Sequence, residues 1–305
     1  MFLLILEQNV MLFVYLSVGY YLAKIGKISE QGLKEAGFFL SNFALTCAIF
    51  NSFQTPYTDE KFRLIKDSLL VALILIIFLI LLSFILTRLF KIDSEKKETW
   101  RACCIFSNIL FIGIPIVDSL YGEVGLIVLV SFNTIFNLFL FSIGESIFSG
   151  TLIVSVKKVL RTPAILSMAL GMLLFVLDIR LPIFLGTPIQ VLASFTAPLA
   201  MIVNGAMFYG TSIKKLIKNK EIILFCLVRL ILIPILAMLI FRPFISNEMV
   251  FALLVLVAAM PSGSLNSVFA EMYQGKGQLA SNYIILSTLV SLITVPLMIT
   301  LSQIL

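Results

Sequence analysis

Long apolar runs dominate this chain and leave few architectures open to it. A membrane-spanning helix needs about 20 consecutive, mostly apolar residues, with roughly 17–25 tolerated. Ten segments qualify, at approximately 2–23, 34–53, 68–90, 101–120, 123–148, 163–179, 188–210, 221–241, 249–270 and 278–303. Composition agrees: 60% of the 305 residues are hydrophobic and only 12% are charged, against roughly 25% charged in a soluble domain. The expected fold class is an all-α polytopic membrane protein with ten transmembrane helices. The N-terminal run has no basic n-region and no small-residue cleavage site, and it is too long for a signal peptide. It reads as the first span.

The basic residues orient these spans. With the N-terminus outside, the inner loops carry 16 of the 22 Lys and Arg, including Lys96, Lys97, Lys157, Lys158, Lys214, Lys215 and Lys276. The outer loops carry five: Lys61, Arg63, Lys66, Arg180 and Arg242. The remaining one, Arg229, falls inside a span. The positive-inside rule therefore places both termini outside, in what is expected to be the plasma membrane. The same distribution accounts for the net charge of +6 without a nucleic-acid partner.

Several chemistries are excluded. There is no histidine, hence no His-ligated metal and no His-based acid–base catalysis. The four cysteines, Cys47, Cys103, Cys104 and Cys226, lie in apolar runs and read as small buried residues. No GxxxxGK[ST] loop is present, so the chain is not expected to hydrolyse ATP. No nucleophile–base pair or metal cluster supports an enzyme, and no cofactor is implied.

Two spans are interrupted. The fourth, "CCIFSNILFIGIPIVDSLYG", contains Asn108, Gly113 and Pro115. The ninth, within "AAMPSGSLNSVFAEM", contains Pro261, Ser262, Gly263, Ser264 and Asn266. Each is the fourth in a run of five spans, so the chain divides into residues 1–150 and 151–305. Five is odd, and two such halves would enter the membrane from opposite sides. Paired Pro/Gly interruptions at matching positions point to a transporter's binding site. Proline frees backbone groups, and these must face protein or a wet cavity because lipid cannot satisfy them. Proline also suits the start of a helix, so breaks are expected near Gly113–Pro115 and Met260–Ser264. The N-termini of the half-helices there would form an anion site. Ordinary proline kinks, with Ser and Asn acting as interhelical glue, are the structural alternative.

At these residues the sequence resembles the auxin efflux carrier family, which includes plant auxin exporters and bacterial malate and malonate permeases. The resemblance covers essentially the whole chain. It rests on Ala259–Leu301, "AMPSGSLNSVFAEMYQGKGQLASNYIILSTLVSLITVPLMITL", and on "SNILFIGIPIVDSLYG", "TPAILSMALGM", "APLAMIVNGAMFYG" and "VRLILIPILAML". The chain departs from the family in span two, which has "TCAIF" at Thr46–Phe50 where a Pro-x-x-x-Phe is usual. The long cytosolic loop of the plant exporters is also absent. The resemblance implies crossed, broken helices four and nine, two inverted repeats and a homodimer. It further implies a scaffold of spans 1, 2, 6 and 7 and an elevator-like transport unit of spans 3–5 and 8–10.

On that resemblance, Asn108, Pro115, Pro261 and Asn266 form the crossing point and hydrogen-bond a substrate carboxylate, with Ser262 and Ser264 in the same role. Asn133 and Asn137 are four apart, on one helix face, as cavity lining or as glue between helices. Asn204 is a candidate on the scaffold side. Asp118 and Glu145, acids near span ends, are candidates for ion coupling. Arg229 is open to three roles: snorkelling, pairing with Glu145, or binding an anion. A structural pair is favoured. The expected function is secondary transport of a small organic anion, a mono- or dicarboxylate, with coupling to H⁺, Na⁺ or neither left open. A membrane-embedded sensor using the same cavity is the alternative.

Overall fold

The computed structural model describes residues 2–149 and 161–304, and these are helical throughout apart from turns and one isolated β-bridge. In chain order the helices are α1 (Phe2–Lys24), α2 (Gln31–Ser52), α3 (Asp59–Leu89), α4 (Lys97–Ile105), α5 (Ile109–Gly144), α6 (Pro163–Val176), α7 (Ile183–Phe208), α8 (Ile213–Lys218), α9 (Lys220–Phe244), α10 (Glu248–Ala259), α11 (Leu265–Gln274) and α12 (Gly277–Ser302). Among the described residues, six are long and apolar enough to cross a membrane: α2, α3, α5, α7, α9 and α12. This is the architecture of a polytopic membrane protein. The count of six falls below the ten expected spans partly because the fourth and ninth are assembled from short pieces. Lys157, Lys158 and the expected boundary between the two halves lie outside the described residues.

Local chemistry sets the helix ends. Thr58 caps α3 by accepting the Lys61 N–H, and Asp59 and Glu60 occupy its positive first turn. Asn247 caps α10 through the Val250 N–H, and Asn219 caps α9 through the Glu221 and Ile222 N–H groups. Gly122 interrupts α5 with φ 56°, and Gly275 ends α11 with φ 62°. These two turns send the chain from 109–121 and from α11 back into the long segments that follow. Three π-turns, Leu40–Ala44, Leu140–Gly144 and Val228–Leu232, lie inside α2, α5 and α9.

At the centre is α10, buried on every face from Val250 to Met260. Such an all-round apolar helix has to be enclosed by others. It packs on α3, α5, α9 and α12. In a second group α7 lies along α1, α2 packs against α7, and α6 packs on α2. The α1–α7 contact is closer than any side chain permits. A Cβ on Gly19 would stand 1.9 Å from the Ile202 carbonyl oxygen, and one on Gly205 would stand 1.9 Å from that of Leu16. At one end of the bundle, Lys96 pairs with Glu221 at 2.6 Å, and the buried Tyr283 hydroxyl donates to the same carboxylate. Its own hydrogen bond to Glu221 holds the Lys96 ammonium above its ordinary pKa.

Candidate functional site

Four helix ends meet at one place. The first interruption, between α4 and α5, is at Phe106–Asn108; the second, between α10 and α11, is at Met260–Ser264. The two run antiparallel and pair by backbone. Asn108 N–H donates to the Pro261 carbonyl at 2.9 Å, and Gly263 N–H donates to the Phe106 carbonyl at 2.9 Å. Ser107 and Ser262 form the bridge between them. Each interruption thus supplies what the other lacks, which is how backbone freed from a helix stays satisfied away from water. Pro261, with no N–H, takes part only as an acceptor. Gly263 is needed for the approach: a Cβ there would lie 3.1 Å from the Ser107 carbonyl oxygen and 3.3 Å from that of Phe106.

This corrects the expected position of the first break. Gly113 and Pro115 lie within helical α5, and Pro115 is half-buried. A Cβ on Gly113 would stand 3.1 and 3.2 Å from the Leu129 methyl groups and 3.4 Å from that of Met260 in the other interruption, so the glycine serves close packing there. Phe106–Asn108 contains neither Gly nor Pro, so partner pairing rather than local propensity opens the helix there.

The polar side chains around the junction differ in their commitments. Asn266 is buried and uses both amide protons, on the Phe106 carbonyl at 2.9 Å and on Ser262 Oγ at 2.8 Å. Its Oδ1 has no partner among the described residues. Ser262 is fully buried, and its N–H reaches Ser287 Oγ at 3.4 Å. Asn108 is 5% exposed, yet its Nδ2 has no hydrogen-bond partner among the described residues. A buried donor left unpaired costs about 1–3 kcal/mol, so it marks a place where another group belongs.

Arg229 lies in the π-turn of α9 and is fully buried, which rules out snorkelling. Its Nη1 donates to the Ala258 carbonyl at 2.8 Å and its Nη2 to Ser107 Oγ, which in turn donates to the Val257 carbonyl at 3.0 Å. No carboxylate is within ion-pairing distance of it among the described residues. The guanidinium therefore caps the carbonyl end of α10, where a cation is favoured, and ties it to the first interruption. The pairing with Glu145 favoured from the sequence falls on a side chain outside the described residues, and the neutral oxygen partners of Arg229 were not legible in the sequence.

Beside the junction is a small pocket of about 20 Å³, room for about one water molecule, between α7, α11 and α12. It is lined by Asn204, Ser264, Ser267 and Ser281 together with Met207, Phe208, Ile284 and Ile285. Ser264 Oγ donates to Asn204 Oδ1 at 3.0 Å, joining α7 to the second interruption. The expected residues therefore fall into groups. Asn108, Pro261, Ser262 and Asn266 are in the junction, and Ser264 and Asn204 are in the adjoining pocket. Asn133 is buried on α5 with its Nδ2 unpartnered among the described residues, and Asn137 is half-buried one turn on. Asp118 is exposed. Glu145 begins a helical turn, Glu145–Ser149, but its side chain lies outside the described part. Ser107, Ser267 and Ser281 were missed. Only Ser107 carried a signal, as the polar residue preceding the Asn that opens a half-helix.

Comparison with known proteins agrees with this architecture. A family described as "Membrane transport protein" matches the chain twice, over residues 4–153 and 145–299. A protein of Methanothermobacter thermautotrophicus, described as an uncharacterized transporter, is 24% identical over 297 residues, covering 95% of this chain and 96% of its own. The chain belongs to the membrane transport protein family, that of the auxin efflux carriers which its motifs resemble.

Proposed function

We propose that this protein is a secondary transporter of small organic anions whose site is the junction of the two interrupted helices and the pocket beside it. The observation that carries the reading is the convergence at Asn108. The helix N-termini of α5 and α11 start at the paired interruptions, and a buried amide donor unpartnered among the described residues stands at the first of them. Helix N-termini favour anions, and the Asn108 amide supplies a directed donor for a carboxylate oxygen. Asn266 has no amide proton left for a ligand; its role is to fix Phe106 and Ser262. Ser264 and Asn204 bound the substrate on the side of α7.

The repeat and the moving parts belong to the same proposal. Two family matches of similar length support an inverted pair of five-helix halves. So does the parallel order of short helix, interruption, short helix, glycine turn and long segment, seen in 97–144 and again in 248–302. The packing of α1, α2, α6 and α7 supports a scaffold of spans 1, 2, 6 and 7. The long helices α3, α5, α9 and α12 gather around α10, and with the short helices they form the unit that slides against that scaffold in an elevator motion. On this reading the protein works as a homodimer in the plasma membrane, with both termini outside.

Flux is the test. Purified protein in proteoliposomes is expected to take up at least one of labelled hexanoate, phenylacetate, malonate or malate, saturably and competed by excess unlabelled acid. Saturable binding without uptake would mark a sensor. Neither binding nor uptake of any organic acid would remove the proposal.

A further inference from the structure

The short helix α8 connects α7 to α9 and has no part in the junction. Gly210, with φ 87°, turns the chain out of α7 shortly before it. At 3.6 residues per turn, Leu216, Ile213 and Ile217 fall on one side of this helix, and Lys214, Lys215 and Lys218 on the other. Leu216 is buried, and α8 packs on α9 and α12. Ile213 and Ile217 are 37% and 54% exposed, and the three lysines are exposed, as is Lys220. No Asp or Glu occurs from 179 to 220. The next acid, Glu221, is committed to Lys96 at 2.6 Å and to the Tyr283 hydroxyl. The α8 lysines therefore have no ion-pair partner among the described residues.

Aromatic residues place α8 in depth. Tyr209, four residues before it, meets Tyr20 of α1 edge-on, with ring centroids 5.9 Å apart, and both rings are exposed. Exposed tyrosines at the ends of spans mark the membrane–water interface. Lys24, one turn beyond Tyr20, is exposed as well.

We propose that α8 is a binding site for anionic phospholipid, its lysines holding the headgroup phosphate and its isoleucines the upper acyl chains. A basic face alone would be satisfied by water. Here unpaired lysines and exposed isoleucines share one short helix at the depth of the tyrosines, which is the pattern of an interfacial amphipathic helix. Basic residues on such a helix attract anionic headgroups. A soluble acidic partner would match the lysines and leave the isoleucines in water. Lipid bound at α8 anchors the α7–α9 connection, and α9 and α12 on which it packs, to the bilayer surface. The proposal rests on the membrane architecture and not on what is transported.

Lipid titration of the purified full-length protein in maltoside micelles tests this, with binding read from the rise in thermal midpoint. Phosphatidylglycerol is expected to bind roughly ten-fold or more tighter than phosphatidylcholine. The double variant Lys214→Gln, Lys218→Gln should weaken phosphatidylglycerol roughly 5- to 30-fold, as the usual contribution of one to two basic residues near an anionic surface implies. The matched variant Arg63→Gln, Lys66→Gln, which removes two exposed charges from α3, should leave that affinity unchanged. Glycerol phosphate, which has the charge without the chains, should bind at least ten-fold more weakly than the lipid. Equal binding of the two lipids to the wild-type protein would overturn the proposal. So would a phosphatidylglycerol affinity unmoved by the α8 variant, or lowered as much by the α3 variant. Glycerol phosphate binding as tightly as the lipid would replace the lipid surface with a site for free phosphate.

Discussion

The backbone N–H of Asn108 donates to the Pro261 carbonyl at 2.9 Å, and this bond joins two helix interruptions that are far apart in the chain. Neither interruption is stable alone in an apolar bundle, because each leaves backbone groups unpaired. Together they make a short antiparallel ladder that holds four helix ends and leaves one asparagine amide unused.

The ladder depends on Asn266, whose amide braces Phe106 and Ser262 together. Asn266→Ala removes two buried hydrogen bonds and is expected to cost about 1–3 kcal/mol of stability at the usual net value per bond. A clearly lowered thermal midpoint in detergent is the expected result. A midpoint equal to wild type would show that the ladder holds without the brace.

Arg229 links the same ladder to the end of α10. Arg229→Met leaves the Ala258 carbonyl without its donor and is expected to lower stability by about 1–3 kcal/mol. Arg229→Lys should lose less, since an ammonium keeps the charge and can still donate to one carbonyl. If chemical denaturation finds the Met variant as stable as wild type, desolvation of the buried guanidinium outweighs its hydrogen bonds.

The apolar runs made the membrane architecture readable, because a 20-residue helix in lipid needs little more than hydrophobicity. The interruption at Pro261–Ser264 was equally open, since Pro, Gly and two serines cannot continue a helix comfortably. The first interruption was not. Gly113 and Pro115 are the louder local signal, yet the helix passes through them and opens at Phe106–Asn108, where the backbone of Pro261 and Gly263 offers better partners. Pro115 forfeits one bond to the preceding turn, a smaller loss than an unpaired interruption. Tertiary pairing decided the matter, and one sequence read locally does not contain it.

The glycine contact between α1 and α7 gives a packing test. Gly205→Ala places a methyl carbon on the Leu16 carbonyl oxygen, at 1.9 Å if nothing moved, so the helices must separate. Overpacking of this kind typically costs about 1–3 kcal/mol, occasionally more. Gly37→Ala, with nothing within 4 Å of the added carbon, is the control and should be neutral or slightly stabilising in a helix. Equal thermal midpoints for the two variants would contradict the close packing of α1 on α7.

Orientation is tested by thiol labelling in intact cells. Glu60→Cys, exposed at the start of α3, is expected to react with an impermeant maleimide from outside, and Ser94→Cys, exposed after α3, only after permeabilisation. Background should be low, because Cys103, Cys104 and Cys226 are buried and Cys47 half-buried. The reverse pattern would invert the topology drawn from the basic loops.

The most direct measurement is uptake by Asn108→Ala in proteoliposomes, beside wild type and at equal reconstituted amount. The Asn108 side-chain Nδ2 has no hydrogen-bond partner to lose among the described residues, and its backbone bond to Pro261 does not depend on the side chain, so the variant should fold with a thermal midpoint close to wild type. A hydrogen bond to a charged group contributes about 1.5–3 kcal/mol. Its loss should therefore weaken substrate affinity roughly 10- to 150-fold. A well-folded Asn108→Ala protein that takes up the organic acid with wild-type affinity and rate would contradict the placing of the substrate at the junction.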